Sequence, residues 1–328
     1  MSESALTQLP QPAATEPQPR LAVVDLVRGL AIGAMVVYHT AFDLSDDRLI
    51  GTDIVDNLGW RLFARSVAGT FLLVVGVSLV LATRNGFRLA PFLRRVGLIA
   101  GGAVLVSLAT WWFDPSTFVF FGILHEIAVA SVLAIPFLWL PGWLLALAAV
   151  AVLAAPWFLA NPLFDWWPLL WIGLSPDPPA TVDYVPVLPW FGVVLAGLIL
   201  GRLAVRFGDR AAAWHPSGRL AAAIAIAGRR SLPVYLIHQP LIVGALALVV
   251  IVLPPGRAVV EQNFLGQCSA ACANQGRSAT DCTQLCACMF DGLYGTDLFA
   301  MKSFDAMTPD QTERWDGVVN RCLAPPQP

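Results

Sequence analysis

Charge is what this sequence has least of. Only 13% of its 328 residues are Asp, Glu, Lys or Arg, against 57% hydrophobic. Soluble domains carry roughly 25% charged residues, so this composition excludes an ordinary soluble globule and points to a membrane protein. No basic run with interleaved aromatics and no zinc-finger spacing occurs, which argues against nucleic acid as a partner. Cysteine is missing from the first 267 residues, so the six present belong to a separate piece of the protein. No small-residue cleavage site follows a short apolar core, and the first apolar run is too long for a signal peptide. The first helix is therefore expected to stay in the membrane. A phosphate-cradling glycine loop is also lacking: Gly97-x3-Gly101 and Gly197-x3-Gly201 read as notches for helix packing.

What is present begins with long apolar stretches. A helix needs about 20 apolar residues to cross the hydrocarbon core. Seven stretches qualify, at about 21–43, 59–83, 92–113, 117–139, 142–160, 186–207 and 229–253. Segment 211–226, interrupted by His215-Pro216, reads as a loop with an interfacial helix. Residues 1–19, rich in Pro, Gln, Ser and Thr, read as a disordered tail. Arginines concentrate between spans two and three (Arg84, Arg88, Arg94, Arg95) and around the connection from six to seven, whereas 114–116 and 161–185 hold no Lys or Arg. The positive-inside rule makes the arginine-rich loops cytoplasmic, with the N-terminus inside and the C-terminus outside. The expected architecture is an all-α, polytopic membrane helix bundle of about seven spans over 20–256, followed by a small disulfide-rich helical module at 257–328.

That topology puts the cysteines where disulfides persist. Of Cys268, Cys272, Cys282, Cys286, Cys288 and Cys322, the first four follow the pattern C-x3-C-x9-C-x3-C. Each close pair falls on one helix face, so a stapled helical hairpin is expected. The pairing stays open. Metal binding is the competing reading; no histidine accompanies the cluster, and no metal is expected.

The first span, RGLAIGAMVVYHTAFD, carries ionisable residues that a membrane helix does not need. At about 100° per residue, Arg28 and His39 return to within about 20° of one direction. Asp25 lies one turn before Arg28 and Asp43 one turn after His39. These four make a stripe about 60° wide and roughly 27 Å long. Ionisable groups inside a bilayer cost a few kcal/mol each unless they face protein or water, so a shared stripe argues for an internal site. His125 and Glu126 in span four and His238 in the last span, beside Gln239 and Pro240, join it as candidates. Arg61 and Arg65 stand one turn apart at the outer end of span two. Asp183 and Tyr184 lie in the outer loop, among tryptophans able to stack on a sugar.

The block RLAVVDLVRGLAIGAMVVYH resembles the opening of the transmembrane acyltransferase superfamily. In particular it is similar to bacterial proteins of the heparan-α-glucosaminide N-acetyltransferase catalytic-domain family. The similarity continues through FARSVAGTFLLVVGVSLVLA, FVFFGILHEIAVAS, GLSPDPPATVDYVPVLPWFGVVLAGLILG and GRRSLPVYLIHQPLI, over about 20–253, and omits the cysteines. The resemblance implies acetyl-CoA used on the cytoplasmic side and a sugar acetylated on the other. Arg28 and His39 match the Arg-x10-His motif of related membrane O-acyltransferases. The loop SDDRLIGTDIVDNLGW departs from the lysosomal enzyme in having no histidine.

The residues suit that chemistry. Imidazole serves as base or nucleophile toward a thioester near neutral pH, and Asp43 is placed to orient His39. Arg61 or Arg65 is a candidate for binding the acceptor or an oxyanion. Asp25, Arg28, Arg84, Arg88, Arg94 and Arg95 are candidates for the CoA phosphates, although topology alone also explains loop arginines. The expected partners are the bilayer, in a bacterial inner membrane with the cysteine module periplasmic, and a glycan or other small hydroxyl or amine acceptor. Two rival readings stand beside the enzyme. A transporter would use the stripe as a proton or solute path, and an anchor would serve the cysteine module.

Overall fold

The computed structural model describes residues 21–47, 49–50, 52, 54–55, 57–206, 217–300 and 307–323. The expected tail at 1–19 and His215 lie outside the described residues. Within them the chain is all-helical: α1 Ala22–Asp46, α2 Leu58–Thr83, α3 Leu89–Phe113, α4 Ile123–Leu133, α5 Gly142–Leu159, α6 Val187–Arg206, α7 Arg219–Arg229, α8 Ser231–Val252, α9 Arg257–Asn274, α10 Ala279–Leu293 and α11 Pro309–Leu323. Six of these, α1, α2, α3, α5, α6 and α8, are long and apolar enough to cross a membrane, so this is an integral membrane protein.

The fourth expected span is shorter than its apolar run. Only eleven residues form α4. Upstream, 117–122 is drawn out beside the loop before α6: Val182 N–H donates to Thr117 O at 3.0 Å, Thr181 Oγ1 to Phe118 O at 2.6 Å and Val185 N–H to Phe121 O at 3.0 Å. Those bonds occupy carbonyls that a longer helix would use. Downstream, Pro136 has no N–H to give the carbonyl four residues before it, and a 3₁₀ turn, Pro136–Trp139, follows. Arg202 closes that turn, donating to Leu140 O at 2.7 Å and Phe137 O at 2.9 Å.

Helices in lipid gain little from burying apolar surface against one another, so close backbone approach at small residues matters more. α2 and α6 pack tightly along their lengths. A Cβ on Gly76 would overlap Val194 O, and one on Gly197 would overlap Leu73 O; Gly201 also faces α2. The notch expected at Gly97-x3-Gly101 is different, because a Cβ there meets open space. The helix expected in the 211–226 loop is α7. It lies backbone-to-backbone on α1, with Gly29 against Ile224 O and Gly228 against Asp25 O.

At the C-terminal end, α9 and α10 form the expected stapled hairpin. Nested bridges Cys268–Cys286 and Cys272–Cys282 join them, and Cys288–Cys322 ties α11 to α10. The first two pairs use the i, i+4 spacing on each helix, which fixes one antiparallel register.

Candidate active site

The α1 stripe faces the bundle interior. At one end Arg28 binds three elements: Nη1 donates to Asp25 Oδ1 at 3.2 Å and to Gly228 O on α7 at 3.3 Å, and Nη2 donates to Ser78 Oγ on α2 at 2.8 Å. A cavity of about 770 Å³ opens beside it. Five arginines line this cavity: Arg28, Arg88, Arg94, Arg95 and Arg229. Its inner wall is apolar, from Phe71, Val75, Ile99, Leu124, Ile127 and Leu232, and Tyr235 also lines it. Arg84 is exposed and outside the lining.

Beyond Tyr235 the stripe continues in two layers. Tyr235 packs on His238 with ring centroids 5.5 Å apart, and His238 faces His39 of α1 at 5.1 Å. His238 is only 8% exposed, and its Nδ1–H donates to Tyr235 O at 2.5 Å. That bond assigns the proton to Nδ1 and leaves the lone pair on Nε2, which is buried without a partner. In the next layer Gln239 Nε2 donates to both oxygens of Asp43, at 3.0 and 2.9 Å. The carboxylate thereby orients the amide, and Gln239 Oε1 is buried without a donor. Two hydrogen-bond acceptors on consecutive residues thus lack donors, an arrangement suited to a ligand bearing N–H or O–H groups.

Other candidates have different surroundings. His125 has both nitrogens engaged: Gly122 N–H donates to Nδ1 at 3.3 Å, and Nε2 lies 3.3 Å from Ser107 Oγ, which itself donates to Val119 O at 2.6 Å. Glu126 is completely buried and neither carboxyl oxygen has a partner. It does not line the cavity. Asp183 reaches α4 from the loop before α6, its Oδ2 accepting from Ile123 N–H at 2.9 Å. Burial pushes its carboxyl above the usual range, opposed by that amide. Tyr184 is committed elsewhere, with its hydroxyl on Leu170 O at 2.6 Å. Arg61 and Arg65 are exposed on α2. Ser78 and Tyr235 went unnoticed in the sequence, although Tyr235 stands three residues before His238 and so on the same helix face.

Residues 20–240 match the family model of the heparan-alpha-glucosaminide N-acetyltransferase catalytic domain. The chain belongs to this family. The match runs from the start of α1 to Pro240, so it takes in the arginine-lined cavity, the histidine pair and the Asp43–Gln239 contact, and stops before α9. No curated protein and no solved structure matches the chain. Family membership and the spanning helices together make this a membrane protein of an acetyltransferase family.

Proposed function

We propose that this family member is a bacterial inner-membrane acyltransferase. It takes an acetyl group from cytoplasmic acetyl-CoA and passes it to a hydroxyl or amine of a sugar or glycan on the outer face. The observation that carries the reading is adjacency: Tyr235 lines the arginine-rich cavity and packs on His238, one of a histidine pair in which one nitrogen is buried and bare.

The donor's shape fits that cavity. Arg28, Arg88, Arg94, Arg95 and Arg229 suit the phosphates, since guanidinium groups bind phosphate oxygens bidentately. The apolar wall suits the uncharged arm leading to the thioester. Excess arginine at this end makes it the cytoplasmic one, which puts Asp43, Gln239 and the cysteine helices 257–328 on the periplasmic side.

In the reaction the acceptor X–H bond and the thioester C–S bond break, while acyl C–X and CoA S–H bonds form. One imidazole of the pair takes the acceptor proton and returns it to the departing thiolate. His238 Nε2 has the free lone pair this needs, and His39 stands beside it as the second base or a transient acyl acceptor. Asp43 and Gln239 orient the acceptor. Asp183 closes the site from the loop before α6, and Arg61 and Arg65 attract the glycan at the outer mouth.

Purified protein in sealed vesicles, cytoplasmic face outward, tests this with radiolabelled acetyl-CoA and glucosamine. Wild type is expected to consume thioester and label the sugar, and His39→Ala to lose at least about 100-fold in rate. Absence of thioester consumption by folded wild type, together with flux of solute without any acyl donor, would instead establish a transport path.

A further inference from the structure

The cysteine-bearing helices lie beyond the family match, yet one residue of theirs reaches the site's outer end. Gln267 Nε2 donates to Ser45 O at 2.7 Å and Ile50 O at 3.2 Å, with Ser45 Oγ at 3.4 Å. Ser45 belongs to the last turn of α1, two residues past Asp43. The last carbonyls of a helix have no intrahelical donor, and here a side chain from another segment supplies one. Gln267 is also held firmly, because it directly precedes Cys268, which is bridged to Cys286 on α10.

We infer that Gln267 is a positioning residue for the acceptor end of the site. The disulfide-stapled hairpin, acting through Gln267, fixes the final turn of α1, and that turn sets Asp43 against Gln239. The role in transfer rests on the acyltransferase reading; the mechanical link does not. The geometry separates the two ends of the site. Gln267 touches the turn after Asp43, whereas the arginine cavity begins at Arg28, about 23 Å away along α1. Disturbing the hairpin therefore loosens acceptor binding and leaves donor binding alone. It also makes the outer half of the site depend on a bridge that persists in an oxidising compartment.

The test uses full-length protein with three variants: Gln267→Leu, which removes the donor; Gln267→Lys, which keeps a donor of similar reach; and Cys268→Ser with Cys286→Ser, which releases α9 beside Gln267 while Cys272–Cys282 still joins the two helices. Hydrogen exchange is read at Leu49 and Ile50, whose amides donate to Leu44 O just past α1. KM is measured for glucosamine and for acetyl-CoA. Expected are exchange about tenfold faster in Gln267→Leu and the double serine variant, and a glucosamine KM raised about tenfold, the equivalent of one hydrogen bond. Acetyl-CoA KM should stay within about twofold, and Gln267→Lys should behave nearly as wild type in both readouts. Unchanged exchange in Gln267→Leu, or an equal rise in both KM values, would overturn the inference. Faster exchange in a protein whose wild type consumes no thioester would uphold the clamp and overturn the acyltransferase reading.

Discussion

His125 and His238 differ in their hydrogen-bond partners, and under the proposed function that difference, rather than residue type, separates structure from chemistry. His125 receives a backbone N–H on one nitrogen and meets a serine hydroxyl with the other, so its ring holds the start of α4 to α3. His238 has one nitrogen on its own helix and the other bare. The pair therefore predicts opposite outcomes for turnover. His125→Phe should lower thermal stability by about 1–2 kcal/mol through two lost hydrogen bonds, while the folded fraction keeps its turnover. His238→Ala should cost about 1–3 kcal/mol through one lost hydrogen bond and lost ring packing, and reduce thioester consumption by the folded fraction at least about 100-fold. Calorimetry beside a CoA-release assay checks both. Sequence position did not distinguish the two, since each sits in an apolar helix; Ser107, eighteen residues before His125, made the difference.

Elements tell a similar story about what periodicity can carry. The stripe on α1 was legible because one helix keeps its own register: Arg28 and His39 share a face whatever surrounds them. The hairpin was legible because the spacing of two cysteine pairs repeats a helical turn. The limits of α4 were not, because hydrophobicity does not reveal that 117–122 pairs with a loop sixty residues later. Likewise the two Gly-x3-Gly pairs look alike, and only tertiary packing puts Gly197 against α2 and Gly97 in open space. This contrast yields a test. Gly197→Ala or Gly76→Ala forces a methyl into the opposing backbone and should destabilise the bundle by about 1–3 kcal/mol or more. Gly97→Ala and Gly101→Ala should change stability by less than about 1 kcal/mol, or raise it through helix propensity. Thermal inactivation of the four variants in detergent would rank them.

At the scale of the whole molecule, two kinds of stabilisation share one chain. The spanning helices rest on close backbone contacts in lipid, whereas the C-terminal helices bury a small core of Leu293, Leu298 and Val318. Such a core is too small to suffice, and the bridge Cys288–Cys322, closing 34 residues, adds about 3–4 kcal/mol on a chain-entropy account. Surface charge supplies the rest of the organisation there. Arg314 forms a two-pronged bond to Asp297, at 2.8 and 2.9 Å, and a third bond to Asp310 at 3.0 Å. Together with Gln311 this holds the Asp297 carboxyl well below the ordinary aspartate value of 3.8. A carboxyl with a lowered folded-state pKa contributes stability above its unfolded value and loses that contribution as pH falls below it. Acid below about pH 4 should therefore loosen Pro309–Leu323 against α10, with hydrogen exchange at those amides rising as pH drops once the intrinsic rate is divided out. Asp297→Asn should flatten that dependence while keeping the bridge Cys288–Cys322. An unchanged acid profile in Asp297→Asn would mean that the ion cluster, being on the surface, is screened by solvent and that the disulfide alone holds α11 in place.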